Sequence, residues 1–548
     1  MKWRRSPLND LLISNVLVID GSGSPGFRAD VGVAMGRVAF VRRPGPPGAI
    51  PGRQTAAQVI DGAGLVLTPG FIDLHNHSDM AILADPQAES MLGQGVTTMV
   101  VGNCGSSAAP WLGPEGGPKA LKMRADASRG LDVEWTWRSM GDYLARVQAG
   151  RPAVNVAALA GHGAIRYQVL GLATRAPDAA ELRQMKAMLE GALADGAVGL
   201  SSGLIYYPSC YATADELVEL AAVAGRAGKL YCSHIRSESE ALLEAVTEAI
   251  EISRRAGVST EISHIKAESR LMWGRLKEAL ALIDRARAEG LPVDADQYPY
   301  TAYNTGLDSF LPPEVMEGDW RAVLSSADGR ARMRRAMDAG NPPAWTSSIR
   351  GMEWGDFFVD ETGDPTKDGQ SLAAIAEAEG KDPYDAFFDL LLAGGAGVAV
   401  IGHAMNEDDV RLALARPDIM VGSDGSALPY QARPDSGALG RGHPHPRNFG
   451  TFPRVLGRYV RDVGLLPLET AVRKMTGLPA QKLGLRDRGL VREGHWADLV
   501  LLDPAAVRDT ATFEAPRARP EGIRWVFVNG LPALTPSGWG ERAGRTLR

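Results

Sequence analysis

Two histidines stand two residues apart at the end of a short apolar run, in the segment Pro-Gly-Phe-Ile-Asp-Leu-His-Asn-His-Ser at residues 69–78. The Pro-Gly pair predicts a turn, and the apolar residues after it predict a buried strand. Positions i and i+2 of a strand face the same side, so the imidazoles of His75 and His77 leave the strand end together. The pair predicts a metal site at a strand end, which is where a parallel α/β barrel keeps its active site.

The middle of the chain alternates predicted strands with predicted helices. Amphipathic helices, with apolar residues at three- and four-residue steps, are predicted over 178–196, 214–227, 238–256 and 276–289. Eight strands are predicted at 71–75, 97–102, 154–160, 198–202, 230–234, 260–264, 292–297 and 419–423. Eight strands alternating with helices is the pattern of a (β/α)₈ barrel, whose C-terminal strand ends meet at one mouth.

Both ends of the chain are rich in short strands and Gly/Pro turns. Residues 1–68 and 476–548 therefore predict one small β-sandwich domain built from both termini, and residues 69–475 predict the catalytic barrel. The interval of about 300–418 is too long for one connection, so it predicts an inserted subdomain or lid with an extra strand at 398–403. The predicted fold class is α/β: a (β/α)₈ barrel with a β-sandwich domain.

Composition excludes several classes of protein. A formal net charge of -6 over 548 residues, with scattered positive charges, gives no electrostatic reason to expect a nucleic-acid partner. The sequence contains no stretch of eighteen apolar residues, so no membrane span is predicted. The basic segment 1–7 lacks the apolar core of a secretory signal. The cysteines, Cys104, Cys210 and Cys232, are too few for a disulfide framework. A reducing cytoplasm is therefore expected, and the oligomeric state is left open.

Residues of metal-binding types fall at the ends of five of the predicted barrel strands. They are His75, His77, Cys104, His234, His264 and Asp424. Because the barrel brings these strand ends to one mouth, the six side chains can share one site. Three imidazoles are enough for one zinc ion, and the whole set is enough for two metals or for one tight and one weak site.

Further motifs follow the same strands. They are Gly-Val-Thr-Thr at 95–98, Gly-Asn-Cys-Gly at 102–105, Gly-Leu-Ser-Ser-Gly at 199–203, Ser-His-Ile-Arg at 233–236, Ser-His-Ile-Lys at 263–266, Tyr-Pro-Tyr at 298–300, Gly-Ser-Asp-Gly at 422–425 and His-Pro-His-Pro-Arg at 443–447. On these motifs the chain resembles the amidohydrolase superfamily, and closely its N-acyl-D-amino-acid deacylase (D-aminoacylase) family. The Asn-Cys-Gly element discriminates this branch from other amidohydrolases.

The resemblance implies a zinc centre with two sites of unequal strength. Cys104, His234 and His264 would hold the tight Zn²⁺, and His75, His77 and Asp424, sharing Cys104, would frame a weaker second site. Many binuclear amidohydrolases bridge their metals with a carboxylated lysine at the end of the fourth strand, but residues 198–211 contain no lysine. The Cys104 thiolate supplies an anionic bridge instead.

The implied reaction is hydrolysis of an N-acyl-D-amino acid to a carboxylate and a free D-amino acid. Zinc activates a water and polarises the amide carbonyl, and Asp424 carries the proton from that water to the leaving amine. The resemblance assigns the substrate α-carboxylate to Lys266, Tyr298 and Arg447, with Tyr206 near the substrate. Asn304 stands where the family usually has a serine, and the 426–442 loop is longer than usual, so the side chain accepted is left open.

Two other classes of function remain at this point. A cyclic-amide hydrolase of the dihydroorotase or hydantoinase kind, or a D-aminoacyl dipeptidase, would share the barrel, although the cyclic-amide enzymes favour the lysine that is missing here. A metal-containing scaffold without activity would need to have lost Asp424 or the open metal position, and the sequence keeps both. Preference for D over L substrates does not follow from the residues alone.

Overall fold

The computed structural model of the chain describes residues 9–43, 56–128, 130–316, 318–340, 345, 347–432 and 437–548. The basic segment at 1–7 and residues 433–436 of the 426–442 loop lie outside these ranges. Within them, no helix has the length and apolar character needed to cross a bilayer.

A parallel sheet of eight strands forms the barrel, and its strands neighbour one another in chain order. They are Phe71–Asp73, Val96–Val101, Asn155–Gly161, Gly199–Gly203, Leu230–His234, Ser259–Ile262, Val293–Gln297 and Ile419–Val421. The first and eighth are joined by backbone hydrogen bonds just beyond their ends, from Asp424 N to His75 O (2.9 Å) and from His77 N to Gly425 O (2.8 Å). The predicted barrel is confirmed.

Helices connect the barrel strands on the outside. Before the seventh strand they are Ala81–Ala84, Glu89–Gly93, Gly117–Ser128, Met140–Ala149, His162–Leu170, Ala179–Ala194, Ala214–Arg226, Leu242–Ala256 and Leu276–Ala288. In Ala179–Ala194 the Asp178 and Glu181 side chains form a capping box, and the buried Met185, Leu189 and Leu193 recur at four-residue steps. The helix predicted from residue 238 begins at Leu242, which leaves Glu238 in the preceding loop.

The interval after the seventh strand contains a unit with its own core. A three-stranded antiparallel sheet, Tyr303–Gly306, Phe357–Val359 and Ala399–Gly402, has the predicted extra strand at its centre. Its helices are Pro313–Met316, Trp320–Leu324, Ala327–Ala339, Leu372–Glu379 and Pro383–Gly394. Helix Glu407–Ala415 belongs to the barrel instead, because its Val410, Ala413 and Leu414 enter the apolar clusters around the barrel strands.

Strands from both chain ends form one nine-stranded sheet, which confirms that the second β unit is built from both termini. They are Asn9–Val18, Phe27–Ala34, Arg37–Arg42, Ala56–Asp61, Val66–Pro69, Leu499–Leu502, Ile523–Val528, Leu531–Thr535 and Gly538–Trp539. The two ends meet where Val66–Pro69 pairs antiparallel with Leu499–Leu502. Leu499 and Leu501 pack in the core of this sheet, while Val500 and Leu502 pack against the barrel, as the period of two requires.

From Arg447 onwards, four helical segments lead to the last strands of the terminal sheet. They are Arg447–Arg454, a π-helical continuation over Val455–Asp462, Leu468–Met475 and Gly477–Lys482. The first of them begins at Arg447. This connection places the last predicted site residue next to the strand end that carries Asp424.

Candidate metal centre

Three of the predicted ligands lie beyond their strands, on backbone that has left the extended conformation. Cys104, His264 and Asp424 have φ values of 52°, 35° and 50°. Residues other than glycine rarely adopt this left-handed backbone conformation. Each one costs about 1–3 kcal/mol and persists only where the surrounding structure holds it. The sequence placed His264 at the end of a strand over 260–264 and Asp424 directly after a strand over 419–423, but Ser259–Ile262 and Ile419–Val421 end earlier. The backbone turns after each strand and directs the side chain into the mouth.

The structure brings five of the six predicted ligands into direct contact. Cys104 Sγ lies 3.2 Å from His75 Nε2 and 3.5 Å from His264 Nε2. Asp424 Oδ1 lies 3.0 Å from His77 Nε2 and 3.5 Å from His75 Nε2. The side chains of His75, Cys104, His264 and Asp424 could together hold a metal ion. All of these groups are buried except His77, which is partly exposed.

His234 completes the set from the end of the fifth strand. Its ring centroid lies 4.5 Å from that of His264, and the side chain is 4% exposed. Neither of its ring nitrogens has a hydrogen-bond partner in the described part of the chain. A buried polar group without a partner costs about 1–3 kcal/mol, so His234 is arranged for a ligand that the protein itself does not supply.

The imidazoles control the charge of the thiol. Burial alone would raise the pKa of Cys104, but His75, His234 and His264 lower it well below the usual value for a thiol. The thiolate is the form of cysteine that binds zinc. Burial would likewise raise the pKa of Asp424, and Arg447 together with the histidines lowers it well below its ordinary range. The surroundings therefore favour the thiolate of Cys104 and the carboxylate of Asp424.

Asp296, at the end of the seventh strand, orients two ligands from behind. Its Oδ2 lies 3.2 Å from His75 Nδ1, and its Oδ1 accepts a hydrogen bond from the backbone N–H of His264 at 3.0 Å. A carboxylate on the far nitrogen of a metal-binding histidine fixes the ring and its tautomer. Burial would raise the pKa of Asp296, but His75 keeps it lowered.

The predicted substrate residues surround the other side of the centre. Arg447 Nη1 lies 2.7 Å from Asp424 Oδ2, and the guanidinium stands 5.1 Å from the ring centre of Tyr298. Lys266 Nζ also stands over that ring, 5.7 Å from its centre. The Tyr298 hydroxyl is buried with no hydrogen-bond partner among the described residues. Two cations thus lie against the Tyr298 ring, and the hydroxyl of that ring is free to bind a ligand.

Tyr206 and Asn304 connect this pocket to the inserted unit. The Tyr206 hydroxyl lies 3.0 Å from Thr305 Oγ1, and the Tyr206 ring lies 5.0 Å from that of His234. The Asn304 side-chain amide donates to Asp360 at 2.9 Å, while its carbonyl accepts from Arg447 at 3.2 Å. Asn304 therefore contacts the predicted carboxylate-binding arginine through its backbone, with its side chain turned to Asp360.

Residues 58–306 and 356–533 match the Amidohydrolase family. The chain belongs to this family. It is 40% identical over 539 residues to the N-acyl-D-glutamate deacylase of Alcaligenes xylosoxydans xylosoxydans, with 98% of this chain and 96% of the relative covered. The D-aminoacylase of the same organism is 37% identical, with 98% and 97% covered. The predicted membership of the D-aminoacylase branch is confirmed.

A solved structure is similar to this amidohydrolase over nearly its full length. It is the N-acyl-D-glutamate deacylase of Bordetella bronchiseptica, complexed with zinc and a phosphonate inhibitor that mimics the tetrahedral intermediate of the reaction. The sequence identity is 37%, the TM-score is 0.79, and 98% of this chain and 99% of that chain are covered.

Sequence reasoning missed two carboxylates of this amidohydrolase site, Asp296 and Glu238. Glu238 follows the fifth strand and contacts Lys266 and two of the histidines. Burial alone would raise the pKa of Glu238, but Lys266 and the histidines lower it to about 2. Asp296 stands at a strand end, so the rule that located the ligands could have found it. Glu238 was assigned to a helix, where no such rule applies.

Proposed function

We propose that this amidohydrolase is a zinc-dependent deacylase that hydrolyses N-acyl-D-amino acids to a carboxylate and a free D-amino acid. The observation that carries the proposal is the Cys104 thiolate, set between two imidazoles in a barrel whose fourth strand is followed by no lysine. The D-configuration rests on the relatives, which are named for N-acyl-D-glutamate and for D-amino acids.

The residues present fit a zinc ion. The unpartnered nitrogens of buried His234, with the thiolate of Cys104 and the Nε2 of His264, form a set of soft and borderline donors suited to zinc. We assign the tight site to these three residues. We assign a second, weaker site to His75, His77 and Asp424, sharing Cys104. A zinc ion held in the tight site would supply an activated water and a polarised amide carbonyl.

Asp424 is the group that we assign to proton transfer. It is an ionised carboxylate held by Arg447 and His77, and it faces the same space as the ligands. It can therefore accept a proton from the attacking water and return it to the leaving nitrogen. Placement by two fixed neighbours reduces the reorganisation that this transfer needs.

We assign the substrate α-carboxylate to Arg447, Lys266 and the free hydroxyl of Tyr298. A planar guanidinium binds a carboxylate through two parallel hydrogen bonds, and the buried phenol lacks an acceptor in the described structure. Burial raises the pKa of Tyr298 well above its usual value, so this hydroxyl is a neutral donor.

We also place the enzyme in a reducing compartment, the cytoplasm, because its three cysteines are free thiols.

The test combines metal content with a substrate panel. N-acetyl-D- and N-acetyl-L-amino acids with acidic, apolar and neutral polar side chains are assayed for free amine, alongside a hydantoin and a D-aminoacyl dipeptide. We expect turnover of N-acetyl-D-amino acids and about one tightly held zinc per chain in wild type and in Cys210→Ala, with loss of that zinc in Cys104→Ala. Wild-type zinc in Cys104→Ala, or turnover of the hydantoin or the dipeptide alone, would contradict the proposal.

A further inference from the structure

Glu238 lies in the loop between the fifth barrel strand and helix Leu242–Ala256, with 4% of its side chain exposed. Its Oε1 is 2.9 Å from His264 Nδ1 and 2.5 Å from Lys266 Nζ, and its Oε2 is 3.6 Å from His234 Nε2. The backbone holds it from the other side, where Glu268 N donates to Glu238 O at 2.7 Å. One buried carboxylate thus contacts two metal-binding histidines and a lysine assigned to the substrate.

The two nitrogens of His264 face different partners. Nε2 points to Cys104 Sγ at 3.5 Å, whereas Nδ1 lies 2.9 Å from Glu238 Oε1 and 2.9 Å from Lys266 Nζ. A histidine that binds a metal through one nitrogen commonly donates the other N–H to a carboxylate, which fixes the ring and makes it a better ligand. Glu238 stands where it can do this for His264, as Asp296 does for His75.

The same oxygen atom of Glu238 also binds Lys266. Lys266 is 4% exposed, and its ammonium lies over Tyr298, on the side of the centre assigned to the substrate carboxylate. A free lysine side chain loses rotamer freedom when one position is imposed, and a buried ion pair at 2.5 Å imposes that position before substrate binds. Glu238 therefore prepares the lysine as well as the ligand.

We propose that Glu238 is a positioning residue that couples the tight metal site to the substrate-carboxylate site through His264 and Lys266. The substrate half of this statement rests on the proposed function, and the metal half does not. A purely structural role, in which Glu238 only neutralises a buried lysine, makes a different prediction for the metal. It predicts that Glu238 is dispensable for zinc binding once Lys266 has no charge.

The experiment compares Glu238→Gln with Glu240→Gln. Glu240 stands two residues further along and pairs with Arg350, at 3.0 Å from Nη2 and 2.7 Å from Nε, outside the centre. Zinc affinity of the full chain is measured by competition with a chromogenic chelator, without substrate. We expect Glu238→Gln to weaken zinc binding by about 10–100-fold and Glu240→Gln to leave it at the wild-type value. Wild-type affinity in Glu238→Gln overturns the proposal.

The double variant Glu238→Gln/Lys266→Met separates positioning from neutralisation and removes the unpaired buried lysine that could hinder folding. We expect its zinc affinity to stay as weak as in Glu238→Gln. Recovery to the wild-type value would assign Glu238 to charge neutralisation alone and overturn the proposal.

The coupling to substrate has its own measurement. With the N-acetyl-D-amino acid that wild type hydrolyses best in the panel, at saturating zinc, Glu238→Gln should raise KM more for the free α-carboxylate than for the α-carboxamide. An equal rise in KM for both compounds would overturn the proposed coupling of Glu238 to the substrate through Lys266. If wild type hydrolyses no N-acetyl-D-amino acid of the panel, the proposed function fails while the zinc comparison still decides the role of Glu238.

Discussion

At the scale of single residues, the charges of the centre are paired before substrate arrives. Asp424 pairs with Arg447, Lys266 with Glu238, and His75 with Asp296. Each pair keeps a buried ion compensated, which is the condition under which ions persist in a protein interior. Substrate binding must therefore exchange partners: the substrate carboxylate competes with Asp424 for the guanidinium of Arg447.

Asp424→Asn removes the proton acceptor but keeps the shape of the side chain. We expect the tight zinc to remain, because Cys104, His234 and His264 are unchanged, and turnover to fall by about 100-fold or more. Zinc analysis and steady-state kinetics on the same preparation check this. Turnover close to wild type would assign proton transfer to a different group.

Arg447→Lys keeps the positive charge and loses the two-pronged geometry. For substrates with a free α-carboxylate we expect kcat/KM to fall by the equivalent of about 2–5 kcal/mol. Substrates masked as the α-carboxamide should react poorly with wild type and change little in the variant. Equal losses on both would mean that Arg447 serves Asp424, its 2.7 Å partner, and leaves the substrate carboxylate to other groups.

At the scale of elements, the site depends on how strands end. The second, sixth and eighth strands stop two or three residues before Cys104, His264 and Asp424, and the chain then turns. The sheet is rigid and its hydrogen bonds fix where each strand ends, so the strained residues after it are held in place. The inserted unit approaches the same mouth through its first strand, Tyr303–Gly306.

We expect the inserted unit to act as a cover. In strand Tyr303–Gly306, Thr305 contacts Tyr206 and the Asn304 backbone carbonyl contacts Arg447. A ligand that binds Arg447 should therefore change the contacts of this strand. Hydrogen exchange with and without a phosphonate analogue of an N-acyl-D-amino acid should show protection in Tyr303–Gly306 and Phe357–Val359. Strand Ile523–Val528 of the terminal sheet is the internal reference. Unchanged exchange in the inserted strands would make the unit a fixed wall of the pocket.

At the scale of the whole molecule, a buried polar network joins the barrel to the terminal sheet. Asp498 binds Arg488, accepts a hydrogen bond from the backbone of Asn529 at 2.7 Å and contacts Asn155 at 3.3 Å, at the start of the third barrel strand. Asn529 also donates to Asn155 at 2.8 Å. Both charged side chains are 4% exposed. The ion pair lies within the C-terminal part of the chain, and its hydrogen bonds with Asn155 join it to the barrel.

Asp498→Asn should destabilise the whole protein, because it leaves Arg488 as an uncompensated buried charge. We expect a loss of about 3–5 kcal/mol in the free energy of unfolding, measured by urea denaturation. Glu521→Gln is the matched control, since Glu521 pairs with Arg508 and both side chains are more than half exposed. A shift no larger than the control's would show that the network adds nothing to the cohesion of the two parts.

The sequence by itself determined the spacing of apolar residues, the number of barrel strands and the residue types available for metal binding. Alternating apolar runs predicted eight strands to within a few residues, and the rule that barrel strand ends converge collected His75, Cys104, His234, His264 and Asp424 from nearly 350 residues of chain. The strand count is confirmed, because it depends on local patterning, and the grouping of these residues depends on one general property of the barrel.

Only the tertiary structure decided which groups stand behind the ligands and how the backbone presents them. Glu238 and Asp296 act across strands, and no spacing along the chain reveals that one carboxylate oxygen reaches both His264 and Lys266. The left-handed turns at Cys104, His264 and Asp424 are likewise imposed by packing against local preference. Contacts between distant residues are set by packing, which the local pattern of a sequence does not contain.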